Sequence, residues 1–165
     1  LEGARYYAEF GEPTDPMGSD KPNPISHLAY GFAAQVVVVD ESKRVTRVVA
    51  AHDVGRVVNP KSCEGQVEGG VVMGLGFAFT EDFPMDAGRP TATYGKLGLW
   101  RATDVPPIEV KLIEKGAPEQ NAFGAKGVGE ITTIPTAPAA ALACQRVDGK
   151  FRSSLPLTDT AYRKT

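Results

Sequence analysis

The sequence predicts an α+β fold: a mixed or antiparallel sheet built around a β-hairpin and further strand, with two main helices packed on it. Three observations carry that prediction. Stretches with strand character, valine-rich before it and alternating apolar and charged after it, lie on both sides of a long segment whose apolar residues repeat at helical spacing. A second, alanine-rich helical segment completes the order strand, strand, helix, strand, helix, which favours layers of helix on sheet over a doubly wound fold. The 165 residues are enough for one core, burying roughly 70% of the unfolded surface.

The elements follow in order. Residues 11–24, GEPTDPMGSDKPNP, carry four prolines and two glycines and suit an extended lead-in, so residues 1–24 are set apart from a single domain over 25–165. HLAYGFAAQVVVV at 27–39 is rich in β-branched and aromatic residues. It runs through the polar turn Asp40-Glu41-Ser42-Lys43 into RVTRVVAA at 44–51, a hairpin. His52 and Asp53 then open a loop that Pro60 ends.

Residues 61–82, KSCEGQVEGGVVMGLGFAFTED, read as a helix capped by Ser62, with Glu64 in its first turn. Val67, Val71, Leu75 and Phe79 form one apolar stripe, and Gln66, Gly70 and Gly74 a neighbouring one. Its five glycines would cost on the order of 4–5 kcal/mol relative to alanine. A close helix crossing or a ligand lying against the bare face would each explain them. IEVKLIE at 108–114 alternates as a strand, and a helix is expected from about Pro138 to Val147 with Thr136 at its N-cap.

Bulk properties narrow the function classes. Eighteen basic and 20 acidic residues give a net charge of −2 without long like-charge runs, which argues against nucleic acid or a polybasic membrane contact. No apolar run reaches the ~18 residues of a membrane span. The chain begins at Leu1-Glu2 without a secretory signal and is expected to be processed or cut from something longer. Cys63 and Cys144 are expected as reduced thiols of a cytoplasmic protein. His27 and His52 have no ligand spacing to a cysteine, so no metal ligands are assigned.

GAKGVGE at 124–130 lacks both the Walker and the dinucleotide-binding glycine patterns. What it offers is exposed backbone and one carboxylate, Glu130, shortly before a helix. A hydrolase triad or glycosidase pair would be an arbitrary choice among the hydroxyls, thiols and acids.

AHDVGRVVNP at 51–60, GQVEGGVVMGLGFAFTED at 65–82 and GAKGVGE at 124–130, followed by the Pro- and Ala-rich helix, together resemble the C-terminal part of the molybdenum-binding subunit of the xanthine dehydrogenase and aldehyde oxidoreductase family. The resemblance covers nearly the whole chain. It implies a molybdenum hydroxylase that uses water to hydroxylate an electron-poor carbon of a heterocycle or aldehyde, passing hydride to a sulfido or selenido ligand. Glu130 would be the general base acting on the metal-bound hydroxyl, and desolvation would raise its pKa toward the operating pH. Gln66 and the loop Lys126, Gly127, Val128 and Gly129 would contact the cofactor, molybdenum on molybdopterin or its cytosine dinucleotide form. Met73 stands where family members often carry a second Gln.

The family's subunit is several times longer. The resemblance therefore implies an inactive chain without cofactor when isolated, completed by the remainder of the subunit and by iron–sulfur and FAD subunits or domains. Apolar surface exposed by that division is expected to drive self-association. The competing reading is a non-catalytic subunit-interaction module of the same fold.

Overall fold

In a computed structural model the structure describes residues 3–5, 7–9, 11, 13–25, 30–116 and 121–163. His27 and the start of the expected first strand lie outside the described residues. The chain divides into two units, Leu1–Tyr30 and Gly31–Thr165. Among the described residues of the first there is no helix or strand. Its Asp15 carboxylate accepts the Ile25 N–H at 2.8 Å and pairs with Lys21, closing a loop over the Pro-rich stretch.

The second unit is built on a three-stranded mixed sheet in which residues 45–53 lie at the centre, flanked by residues 33–39 on one side and 108–113 on the other. Strands β1 (Ala33–Val39) and β2 (Val45–Asp53) form the expected antiparallel hairpin. Asp40 closes its turn by accepting the Arg44 N–H and the Ser42 hydroxyl. A bulge at Val38/Val39 shifts the register, so that Val39 faces Val45. Strand β2 runs two residues further than the valine pattern indicates. His52 and Asp53 belong to the strand and are buried, rather than opening a loop.

The long helix α1 spans Pro60–Phe79. It starts one residue earlier than the sequence reading, because Asn59 rather than Ser62 caps it, accepting the Ser62 N–H at 3.0 Å. Pro60 takes the first helical position, where its missing N–H is no loss. With that start Glu64 falls beyond the first turn, which holds no acidic residue. The expected stripe of Val67, Val71, Leu75 and Phe79 is fully buried against the sheet. The same cluster takes in Val48 and Ala50 of β2 and Ala140 and Cys144 of helix α2 (Thr136–Asp148).

Between the helices, β3 (Met85–Asp86) and β4 (Arg89–Pro90) make a short hairpin that the polar sequence there hides. Strand β5 (Ile108–Ile113) then pairs parallel to β2, with Ile108, Val110 and Leu112 turned inward as expected. Helix α2 begins at Thr136 itself, with Pro135 at the cap position and no side-chain cap. Thr136 is diverted to another partner. The C-terminal residues close the core: Leu157 is buried and donates to the Ala78 carbonyl at 2.7 Å. The Tyr162 ring stacks on Phe79 and Trp100, and its hydroxyl accepts the Val45 N–H.

Candidate functional site

The site is assembled where the end of β2 meets the glycine loop at 124–130. Val54 and Gly55 leave the strand and run beside the loop. Gly55 bridges Ala125, Arg56 N–H donates to the Gly124 carbonyl at 2.8 Å, and Lys126 N–H donates to the Val54 carbonyl at 3.1 Å. Gly55 has φ +63°, and a Cβ there would overlap the Gly124 carbonyl, so both conformation and space demand glycine. Two of the sequence motifs are therefore one structural unit.

A buried ion pair locks that unit. Lys126 Nζ lies 2.6 Å from Asp53 Oδ2, and the other carboxylate oxygen accepts the Gly55 N–H at 3.1 Å. The Lys126 ammonium holds the Asp53 carboxyl below the usual carboxylate range. The Lys126 side chain thus reaches inward to β2, and its N–H is held by the Val54 carbonyl.

A second polar cluster holds the loop's far end. Thr132 and Thr136 are fully buried. Gln35 of β1 donates from Nε2 to the Thr132 carbonyl at 2.9 Å and accepts the Thr136 hydroxyl at 2.7 Å. Its Nε2 also lies 3.2 Å from His52 Nε2, and burial pushes the imidazole pKa below its ordinary value. On the opposite side, a Cβ at Gly70 would overlap Thr132, and one at Gly74 would come within 2.5 Å of Thr136 Cβ. The two glycines and the two threonines share the same four-residue spacing, which is how α1 crosses the turn and α2 so closely.

That finding reassigns part of the helix's glycine face. Gly70 and Gly74 serve an internal crossing, not a ligand. Gly65 and Gly69 differ: a Cβ at either would meet nothing within 4 Å. Gln66 is exposed one turn before Gly70, with Gly69 as its neighbour three residues on. Met73 is exposed and touches the Thr133 hydroxyl through its sulfur.

The loop shows the same division. Gly127 and Gly129 are exposed, neither has a positive φ, and a Cβ on either would meet nothing within 4 Å among the described residues. Val128 is half-buried. Glu130 is exposed as the first residue of the 3-10 turn Glu130–Thr132, whose last residue packs against Gly70. Gln66 and Glu130 therefore flank one contact. Glu130 stands exposed, so the closed site expected around it is not formed by the described residues.

The sequence reading missed Gln35, Thr132, Thr136 and the Asp53 partner of Lys126. One signal was available: Gln35 is a polar residue at an inward position of an otherwise Ala- and Val-rich strand. Among the described residues no group of three or more His, Cys, Asp or Glu could hold a metal ion. None of the described helices is long and apolar enough to cross a membrane. Cys63 and Cys144 are both unpaired.

The fold clamps a glycine loop from within and leaves Gly127 and Gly129 of that loop, and Gly69 of α1, exposed. The chain is a member of the molybdopterin cofactor-binding domain family, whose model it matches over residues 1–106. It is 35% identical over 117 residues to the putative xanthine dehydrogenase molybdenum-binding subunit of Escherichia coli, covering 69% of this chain and 15% of that protein. It is 34% identical over 143 residues to subunit gamma of the 6-hydroxypseudooxynicotine dehydrogenase complex of Paenarthrobacter nicotinovorans, covering 82% of this chain and 18% of that protein. Among solved structures it superposes on a Cu,Mo-CO dehydrogenase with a TM-score of 0.63 at 26% identity, over 79% of this chain and 17% of that one. This chain thus spans less than a fifth of the length of these relatives.

Proposed function

We propose that this chain forms the part of a molybdenum hydroxylase that supplies the general base and one wall of the cofactor pocket. The observation that carries the reading is the border of unneeded glycines. Gly69 beside Gln66, and Gly127 and Gly129 before Glu130, lack side chains where the chain itself has room for them. In a helix such a glycine costs about 1 kcal/mol against alanine, so the space has its use outside this chain. A large, hydrogen-bonding cofactor fits that description. The main-chain groups of 127–129 and the Gln66 carboxamide would hold molybdopterin or its cytosine dinucleotide form.

When bound, the cofactor supplies the two-electron oxidant. The residues of this chain bind, orient and move a proton. The Asp53–Lys126 pair and the Gln35 cluster fix both ends of the loop. The Glu130 carboxylate would take the proton from the water-derived oxygen as that oxygen attacks an electron-poor carbon of a heterocycle or aldehyde. Its exposure here means that the water-excluding wall comes from the remainder of the subunit. Iron–sulfur and FAD partners would carry the electrons away. The unpaired thiols fit a cytoplasmic assembly.

The surface fits incorporation into something larger. Ile134, Leu142, Phe151 and Leu155 are exposed, the last three around a cleft of about 400 Å³ beside α2. Glu130→Gln in the complete assembly tests the proposal. Turnover is expected to fall by about 10²–10⁴-fold with molybdenum content unchanged. Undiminished turnover would favour the non-catalytic interaction module instead.

A further inference from the structure

We propose that Gln35, on a strand outside every recognised motif, is a positioning residue for Glu130. The inference rests on the reading of Glu130 as the base. Gln35 stands at the centre of β1 on its inward side, between Ala33 and Val37. The Thr132 carbonyl can only accept, so the amide nitrogen of Gln35 faces it and His52 Nε2, and the carboxamide oxygen takes the Thr136 hydroxyl at 2.7 Å. His52 must then accept at Nε2 and carry its proton on Nδ1, a buried atom with no partner. The imidazole is neutral in this arrangement, and both N–H groups and the carbonyl of the Gln35 side chain are engaged.

The cluster acts on the turn that begins with Glu130. Gln35 fixes the Thr132 carbonyl, while the Thr132 hydroxyl turns back and donates to the Gly129 carbonyl at 2.8 Å. Thr133 N–H donates to the Glu130 carbonyl at 3.0 Å. From the other side Gly70 presents a bare helix surface against Thr132. The turn is therefore held between β1 and α1. The exposed carboxylate two residues upstream takes its direction from that grip, through the backbone of the turn on which it stands. A reacting group displaced by about 1 Å can lose 10²-fold in rate, so a residue that sets this turn is expected to show in kcat.

The test uses the complete molybdenum-containing assembly and a double-mutant cycle. Gln35→Met keeps the length of the side chain and removes its hydrogen bonds. We expect kcat to fall about 30-fold with KM within about threefold and molybdenum content unchanged, and the fall to shrink below about twofold in a Glu130→Gln background. A readout independent of turnover accompanies it. Amide exchange over residues 130–136 should quicken about tenfold while exchange over β2 stays as it was. Thr136→Val, which removes one bond of the cluster, should give a smaller change of the same kind, and Thr136→Ser should restore it.

An equal loss from Gln35→Met in both backgrounds, unchanged kcat, or unchanged exchange at 130–136 in both Gln35→Met and Thr136→Val would overturn the positioning role and leave Glu130 as the base. Full turnover in Glu130→Gln alone would overturn the base assignment, and the positioning role with it.

Discussion

Gly69 and Gly70 are adjacent in one helix and answer to opposite demands. At Gly70 the chain itself forbids a side chain, because Thr132 already fills the space; at Gly69 the space is empty. The loop repeats the contrast. Gly55 and Gly124 are pressed together at its clamped end, whereas Gly127 and Gly129 stand clear at its outer side. A glycine that costs helix stability and relieves no internal contact points to something outside the chain. The inner set builds the scaffold, and the outer set is what the proposed function assigns to the cofactor's border.

Breaking the inner set should have the largest effects. Lys126→Met leaves the Asp53 carboxylate buried without its cation and should lower unfolding free energy by about 3 kcal/mol, read from the urea midpoint. Adding Asp53→Asn should recover part of that loss. A midpoint unmoved by Lys126→Met would show the clamp to be ornamental. Gly70→Ala gains about 1 kcal/mol of helix propensity but forces Thr132 aside, for a net loss of about 2 kcal/mol. The matched change Gly65→Ala, in open space, should stabilise by about 1 kcal/mol. If the two substitutions moved stability in the same direction, the division between inner and outer glycines would fail.

The pH dependence of stability probes the inner set more gently. Burial lowers the His52 pKa from 6.5, so the unfolded chain takes up a proton that the folded chain refuses. Stability should fall as pH drops below about 6.5 and level off once the folded imidazole also protonates. Lys126 lowers the Asp53 pKa from 3.8. The stability contributed by that pair is full above this value and is lost as pH falls toward the lowered one. Urea midpoints that stay flat from pH 7 to pH 5 would contradict the buried neutral histidine. Asn59→Ala should cost about 1 kcal/mol through the helix cap alone.

Much of the scaffold was legible because it follows local periodicity. The α1 stripe at Val67, Val71, Leu75 and Phe79 and the alternation of β5 both found the core. The start of α1 was misplaced by one residue, since Asn59 and Ser62 are both good caps and only the backbone decides between them. Thr136 looked like a cap for the same reason. Its hydroxyl instead reaches Gln35, more than a hundred residues earlier in the chain, a pairing that no local pattern encodes. The glycine clusters were visible as anomalies, but their division required the positions of Thr132 and Thr136 in space.

Gly69→Leu in the complete molybdenum subunit tests the division most directly. The substitution replaces a poor helix former by a good one in space the chain leaves empty, so the folded scaffold should gain about 0.5–1 kcal/mol. The account predicts that molybdenum and pterin content nevertheless fall to about a tenth or less, because the leucine occupies the border reserved for the cofactor. Full cofactor content in a subunit stabilised by the same substitution would contradict it.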